Sequence, residues 1–392
     1  MSKYRFGGMI LLCGIVGFAL RCIGLDVETS DMRVLTSWHE QLEAAGPGLD
    51  ALLEYRGDYP LTYITIIWLV GKLPIDFMYA LKASSILLDY ILAFGFASLV
   101  EEIKPSGGKN YCVGFAVVMM LPTVIMNSSV WGQCDSLYAT FVVWAIYCII
   151  KERYGMSMVF LGIAFAFKLQ TILILPFFLI YYWMEKKFSA LYFGIIPLVM
   201  ILCNIPAIAA GYPISIAFTP YVGLSGGYPW LYYFYPNFWF FFQAAPFYMF
   251  QAGAIFCAFT ALLIFVVLLV KNNVRITKDR IIPIAMWTLY TCVMFLPTMH
   301  ERYTYIAELF AIALLLGNLK RIWLPVGLIA CVIPKYLWAF DIIGNPRWLQ
   351  AVSAAGNIVI YLLFTMCLWW ELFVEAGGKG DVSSGKMVRR IY

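Results

Sequence analysis

The chain alternates long apolar runs with short polar breaks. Apolar runs lie near 7–25, 60–73, 76–99, 110–126, 131–150, 156–184, 189–210, 246–270, 281–297, 303–317, 322–338 and 352–374. An α-helix needs about 20 such residues to cross a bilayer core. The run at 60–73 is short and the run at 156–184 is long. The pattern therefore predicts an all-α polytopic membrane protein with roughly 11 to 13 spans. The breaks at 104–109, 151–153, 186–187, 271–280 and 320–321 are basic, as is the C-terminal stretch with Lys379, Lys386, Arg389 and Arg390. Positive charge is kept on the cytoplasmic side. That rule places both ends of the chain inside, and the tip at 298–302 and the aromatic segment 211–245 outside. One parity does not close. If 60–73 crosses fully, the basic loop 104–109 falls outside. Either that run only dips into the membrane or the loop breaks the charge rule. Splitting 156–184 into two short spans near Lys168 bears on the same parity.

The break at 25–59 differs from the others in sign. It carries Asp26, Glu28, Asp31, Glu40, Glu43, Asp50, Glu54 and Asp58, eight of the chain's 22 acids, against Arg33 and Arg56. So acidic a loop fits the outer face. Thr29, Ser30 and Asp31 are good helix-capping residues. Leu35, Trp38, Leu42 and Ala45 then form one stripe of a helix, which Gly46-Pro47 ends. An amphipathic helix with Trp on its apolar side suits the membrane interface. Asp31 stands at its positive end, which favours the ionised carboxylate. Leu49, Leu52 and Leu53 form a second short apolar set before Arg56-Gly57-Asp58-Tyr59-Pro60.

Composition sharpens this picture. The 392 residues are 63% hydrophobic and only 12% charged, where soluble domains carry about 25% charged residues. The net charge of +5 is spent on short loops and requires no nucleic-acid partner. Ten cysteines are scattered without a C-x-x-C pair and read as small packing residues. Lys3 and Arg5 precede the first apolar run with no small-residue cleavage site after it, so that run is expected to be a retained span. No repeat or soluble domain is visible. Residues 1–375 read as one transmembrane domain, with 25–59 as its outer loop and 376–392 as a disordered cytoplasmic tail.

Several residues carry chemistry. Asp31 can serve as a base toward an acceptor hydroxyl; its bland alternative is a cap. Asp58, in Asp58-Tyr59-Pro60, can orient the acceptor or Asp31, or simply open a helix with Pro at its first position. In Thr298-Met299-His300-Glu301-Arg302-Tyr303, His300 and Arg302 can bind an anionic phosphate. Thr298 and Glu301 also have capping-box spacing, which would open the next helix there. Lys168 lies in an apolar run, so it is either functional or a snorkelling lysine. Lys82 and Asp89, seven apart on one helix face, would neutralise each other or pair with other helices. Trp131-Gly132-Gln133-Cys134-Asp135 is a polar cluster or an interfacial Trp anchor with a helix cap. The aromatic segment 226–242 belongs to the interfacial belt, or forms a wall for a prenyl chain or a stacking face for a sugar. His39 and His300 show no metal-ligand spacing.

Together these pieces resemble the GT-C superfamily, membrane glycosyltransferases that use polyprenyl-phosphate sugars. Asp31 through Trp38 followed by Asp58-Tyr59-Pro60-Leu61-Thr62 is similar to the dolichyl-phosphate-glucose-dependent glucosyltransferases. Trp131-Gly132-Gln133-x-Asp135, Lys168-x-Gln170 and Met299-His300-Glu301-Arg302-Tyr303 are similar to the second mannosyltransferase of glycosylphosphatidylinositol assembly and its bacterial relatives. The motifs are short, and their order and sidedness carry the likeness from Asp31 to Tyr303. The resemblance implies an inverting hexosyltransferase with Asp31 as catalytic acid-loop carboxylate and Asp58 as an acceptor-orienting acid. It implies donor-phosphate binding by His300, Arg302 and Lys168, supported by Glu301, Gln133, Asp135 and Gln170. It implies no cofactor and no obligatory metal. The implied partners are a polyprenyl-phosphate sugar donor, a glycan or glycolipid acceptor and the bilayer. A bacterial cytoplasmic membrane is expected over the endoplasmic reticulum. The chain departs from the pattern where Leu61 replaces a second proline after Pro60. The rival expectation is a transporter or lipid-linked glycan flippase, with Lys168, Lys82 and Asp89 as pathway charges; the absence of repeat symmetry speaks against it.

Overall fold

The computed structural model describes residues 2–223 and 228–374, and among these it is helical throughout, with no strand. The expected disordered tail at 376–392 lies outside the described residues. Four helices are long and apolar enough to cross a membrane, and five if one bent pair counts as a single span. Seven further apolar helices are shorter.

The amino-terminal third builds the acidic end. Helix α1 (Ser2–Cys22) leads through a turn to α2 (Ser30–Ala45). Thr29 caps α2, its hydroxyl accepting from the Met32 amide, and Gly46 at φ 120° ends it. Most of the expected stripe is present: Leu35, Trp38 and Leu42 are buried, joined by Met32, while Ala45 at the helix end is exposed. A 3₁₀ helix (Leu49–Glu54) precedes α3 (Leu61–Val70). At 1.5 Å per residue, the ten residues of α3 extend about 15 Å, half a bilayer core. Both its ends stay on the α2 loop. Tyr59, just before it, packs on Trp38, and Lys72, just after it, donates to the Pro47 carbonyl. A side chain at Gly71 would strike the His39 ring of α2. The run at 60–73 therefore forms a short helix packed along the loop, with both of its ends held there.

Next come α4 (Phe77–Ile103), α5 (Lys109–Met120), α6 (Pro122–Ile125), α7 (Asp135–Ile150) and α8 (Tyr154–Phe167). The long run at 156–184 breaks at Lys168, whose extended backbone ends α8. A 3₁₀ segment (Leu169–Ile174) then leads into α9 (Leu175–Glu185). Helices α10 (Ile195–Cys203), α11 (Ile205–Ala210) and α12 (Thr219–Gly223) approach the aromatic segment. The last five are α13 (Phe247–Lys271), α14 (Lys278–Phe295), α15 (Tyr305–Gly317), α16 (Trp323–Ala339) and α17 (Arg347–Trp369).

The basic breaks meet at one end. Glu102 pairs with both Lys151 and Lys278, Glu152 with Lys187, and Glu185 with Arg275. Lys104 donates to the carbonyl of Gly317. The acidic loop, the turn at Lys168, the aromatic segment and the 296–304 loop gather at the other end around one cavity.

Lys82 and Asp89, both buried in α4, do not pair with each other. Asp89 bonds Arg21 of α1 at 2.7 Å and the Ser128 hydroxyl at 2.5 Å. Lys82 instead donates to backbone carbonyls of the α1–α2 turn. Each charge faces a partner on another helix or turn, the arrangement that makes a charge tolerable away from water.

Candidate functional site

A cavity of about 590 Å³ opens among α2, the 58–60 turn, the break at Lys168, the aromatic segment, α13 and the 296–303 loop. Asp31, Asp58, Gln133, Lys168, Gln170, His300 and Arg302 all line it. Elements far apart in the sequence thus bring these residues to one chamber.

Behind the lining lies Asp135, which opens α7, is fully buried and does not itself face the cavity. Lys168 Nζ lies 2.5 Å from Asp135 Oδ1, Arg302 Nε lies 3.2 Å from Oδ2, and Asn127 Nδ2 donates to Oδ2 at 2.7 Å. Two cations and an amide converge on one carboxylate because a buried charge must be both paired and hydrogen-bonded. Lys168 is 3% exposed, so the snorkelling alternative does not hold. The helix break at Lys168 turns its side chain into the protein, toward Asp135. Asn127 escaped the sequence reading; its one signal was the polar Asn127-Ser128-Ser129 step inside an apolar run.

Arg302 is the hub. Besides Asp135, its Nη1 stands 3.2 Å from Glu301 Oε1 and 3.4 Å from Asp31 Oδ2. Its guanidinium carbon sits 5.0 Å from the Trp131 ring centre, a cation–π geometry. Trp131 is only 4% exposed, so it backs the site and is not an interfacial anchor. Burial opposes the Arg302 charge, but Asp135, Tyr59, Glu301 and Asp31 outweigh it and hold the group firmly protonated.

Asp31 lies in the first turn of α2, two residues after the Thr29 cap. The Gln133 amide donates to its Oδ2 at 2.6 Å, and the Tyr59 hydroxyl donates to Gln133 Oε1 at 3.2 Å. The Asp31 side chain keeps 36% of its surface exposed. It is an oriented carboxylate with one edge on the cavity.

Asp58 does not bond Asp31. It accepts from the Tyr228 hydroxyl at 3.0 Å, linking the acidic loop to the aromatic segment. Burial, then the Asp58 charge, push the Tyr228 phenol up to about 12, so it remains a donor. The aromatic segment is fixed in turn to the 296–304 loop. The Thr298 and Tyr235 amides donate to the carbonyls of Leu231 and Met299, and the Thr298 hydroxyl donates to those of Tyr228 and Trp230. Thr298 adopts φ 61°. This overturns the expected capping box: α15 starts at Tyr305 with Thr304 at the cap position. Thr298 is committed to the aromatic strap and Glu301 to Arg302.

The surroundings of His300 oppose a positive charge on it. Burial, and then the charges of Arg302 and Lys168, drive its imidazole well below its ordinary range. A neutral imidazole can donate or accept one hydrogen bond but cannot neutralise phosphate. The positive charge at the cavity comes from Arg302 and Lys168. Glu301 is pushed up by burial, against the opposing pull of Arg302.

The cavity also has an apolar side. Ile172, Leu173, Phe247, Ile255 and Leu296 line it. Ile172 is 47% and Ile255 37% exposed, so this wall runs out to the apolar surface of the bundle between α13 and the 3₁₀ segment. Gln251 and Gln170 sit among these residues as neutral amides. Sequence reading missed Gln251, a lone amide in the apolar run of α13. Among the described residues no cluster of His, Cys, Asp and Glu could hold a metal ion. No protein-family model and no curated protein matches this chain.

Proposed function

We propose that the protein is an inverting glycosyltransferase that moves a hexose from a polyprenyl-phosphate sugar to a hydroxyl of a lipid-linked or cell-surface glycan on the non-cytoplasmic face. The observation that carries this reading is the make-up of this cavity. An oriented carboxylate, two cations and an apolar wall leading to the bundle surface share one chamber. A polyprenyl-phosphate sugar asks for those three features: a base at the acceptor, positive charge at the phosphate, and an apolar path for the prenyl chain.

The reaction balances without any further group. The acceptor oxygen attacks C1 of the sugar as the C1–O bond to phosphate breaks. The acceptor proton goes to Asp31 and the polyprenyl phosphate leaves as a phosphomonoester. Arg302 and Lys168 stabilise the charge that grows on the leaving phosphate. Lys168 donates one side-chain bond among the described residues, to Asp135; an ammonium has three donors. The phosphate competes with Asp31 for Arg302. That competition matters because a carboxylate freed from a nearby cation is a stronger base. His300 then acts as a neutral hydrogen-bonding group beside the sugar.

The membrane setting follows the same lines. Counting α1, α4, α5 with α6, α7, α8, α9, α10 with α11, α13, α14, α15, α16 and α17 as passes between the basic and acidic ends gives twelve. An even count leaves both ends of the chain on the basic, cytoplasmic side. Residues 25–59 and 298–302 then share the outer face. Asp89, Lys82 and Lys168 each bond a partner within the protein, which supports the enzyme reading over a transporter or lipid-linked glycan flippase. Incubating the purified protein with radiolabelled polyprenyl-phosphate mannose or glucose and lipid-extracted glycan acceptors tests the reading. Transfer to acceptor supports it; donor left intact across the panel, with donor bound, contradicts it.

A further inference from the structure

Resting on the reading of Asp31 as the base, we propose that Lys82 is a positioning residue, whose ammonium clamps the α1–α2 turn and thereby sets the place of the Asp31 carboxylate. Lys82 is fully buried in α4. No acidic side chain pairs with it among the described residues. Its Nζ donates to the carbonyls of Gly24, Leu25 and Val27 at 3.1, 2.8 and 2.6 Å. An ammonium has three N–H groups, and one turn uses all of them.

That turn holds itself poorly. Its own backbone bonds, Gly24 to Arg21, Leu25 to Cys22 and Val27 to Gly24, run 3.2 to 3.4 Å, at or beyond the long end of ordinary N–H···O bonds. Gly24 is buried and Leu25 half-buried, and carbonyls shielded from water are costly to leave short of a partner, so the ammonium bears on where this backbone lies. One turn of α4 earlier, the Tyr79 hydroxyl donates to Asp26 Oδ1 at 2.7 Å, so α4 grips the same segment twice.

The turn ends at Thr29, whose hydroxyl both caps α2 and donates to the Trp131 carbonyl at 3.3 Å. Asp31 follows two residues later. On the far side, Gly132 takes φ 71°, and a side chain there would collide with the buried Met32. The Lys82 stem passes within 3.6 Å of that same point. Lys82, Gly132 and Met32 thus form one packed unit beneath α2. Gln133, the next residue, supplies the amide that orients Asp31. A carboxylate shifted by about 1 Å can lose roughly 100-fold in rate, so the clamp bears on turnover without touching substrate.

The test has two arms on the full-length protein in detergent. Lys82→Met keeps the stem and removes the donors. Backbone hydrogen exchange of residues 24–34 should then quicken while residues 298–310 keep their protection. In a double-mutant cycle, Lys82→Met should slow transfer at least tenfold in the wild-type background, with donor KM little changed. It should slow transfer less than twofold in the Asp31→Asn background, where there is no base left to position. Lys104→Met, which removes a carbonyl-bound lysine at the opposite end, is the control and should do neither. If Lys82→Met fails to accumulate, Lys82→Gln, with fewer and shorter-reaching donors, gives the same pattern at smaller amplitude. Unchanged exchange at 24–34, or equal losses in both backgrounds, overturns the proposal. If Asp31→Asn itself keeps full transfer, the base reading fails, and the exchange arm still decides the clamp.

Discussion

Arg302 Nη1 stands 3.4 Å from Asp31 Oδ2 across 271 positions of sequence. The same side chain holds Asp135 and Glu301. One guanidinium therefore touches the proposed base and the buried carboxylate that anchors the site. Its planar fork suits it to several oxygens at once, which an ammonium does not match.

Arg302→Ala is expected to lower donor affinity at least tenfold and to destabilise the fold by about 3–5 kcal/mol, the usual cost of leaving a buried carboxylate short of a partner. Arg302→Lys should recover part of the stability and little of the binding. Thermal melting and donor titration check both. A folded Arg302→Ala protein with wild-type donor affinity would remove Arg302 from the phosphate site.

Lys168 and Asp135 should show opposite behaviour singly and together. Lys168→Met leaves Asp135 with Arg302 and Asn127, so the cost should fall near or below the lower end of about 3–5 kcal/mol. Adding Asp135→Asn removes the buried carboxylate that has lost one of its two cations and should restore part of that stability. Donor binding should stay weak in the double variant, since the cation is still missing. Melting temperatures against donor affinities separate the two effects.

Much of the site was legible in the sequence because charge is rare in this chain. Asp31, Lys168 and Arg302 stood out as ionisable residues beside or inside apolar runs, and all three line the cavity. The α2 helix was legible too, down to its Gly46 stop. What the sequence hid was who pairs with whom. Asp89 could not be matched to Arg21, 68 positions away, from helical spacing alone. The capping-box spacing at Thr298 was a true pattern overridden by tertiary contacts, because Thr298 bonds the strap at Tyr228 and Trp230. The fate of 60–73 turned on length and on contacts at both ends of α3, not on hydropathy. The charge of Lys168, which faces His300 together with that of Arg302, comes from distant sequence and could not be placed beside it from spacing.

The Asp58–Tyr228 bond should act as one unit at the cavity mouth. Asp58→Ala and Tyr228→Phe are expected to raise acceptor KM by similar factors, and the double variant by no more than either alone. Donor affinity should not move. Steady-state kinetics with acceptor varied at saturating donor reads this; multiplied effects would mean that the two residues act separately.

His300 makes the fold acid-sensitive. Its pKa in the fold lies well below the value of about 6.5 for an unfolded histidine. Below that value the unfolded chain binds a proton that the folded one does not, so acidification favours unfolding. This contribution is fully present above about pH 6.5 and is lost as pH falls toward the folded pKa. Glu301, pushed upward, works in the opposite sense above the ordinary carboxylate range. His300→Gln isolates the histidine. Wild type should lose more melting temperature than His300→Gln between pH 7.5 and 5.5. Parallel losses would show that His300 titrates normally.

The most direct test is Asp31→Asn. Asparagine keeps the size and can still accept the Gln133 amide that reaches Asp31 at 2.6 Å. It remains tolerable in the first turn of α2 behind the Thr29 cap, so the variant should fold and bind donor. It cannot take a proton. Loss of a general base costs about 10²–10⁴-fold. Single-turnover transfer of labelled hexose from polyprenyl phosphate to acceptor, with donor bound to saturation, measures that step alone. Asp50→Asn, in the same loop but not lining the cavity, should match wild type. The expected result for Asp31→Asn is a rate reduced at least about 100-fold with donor affinity retained. A folded, donor-binding Asp31→Asn protein that keeps more than about a tenth of the wild-type rate would contradict the assignment of Asp31 as the base.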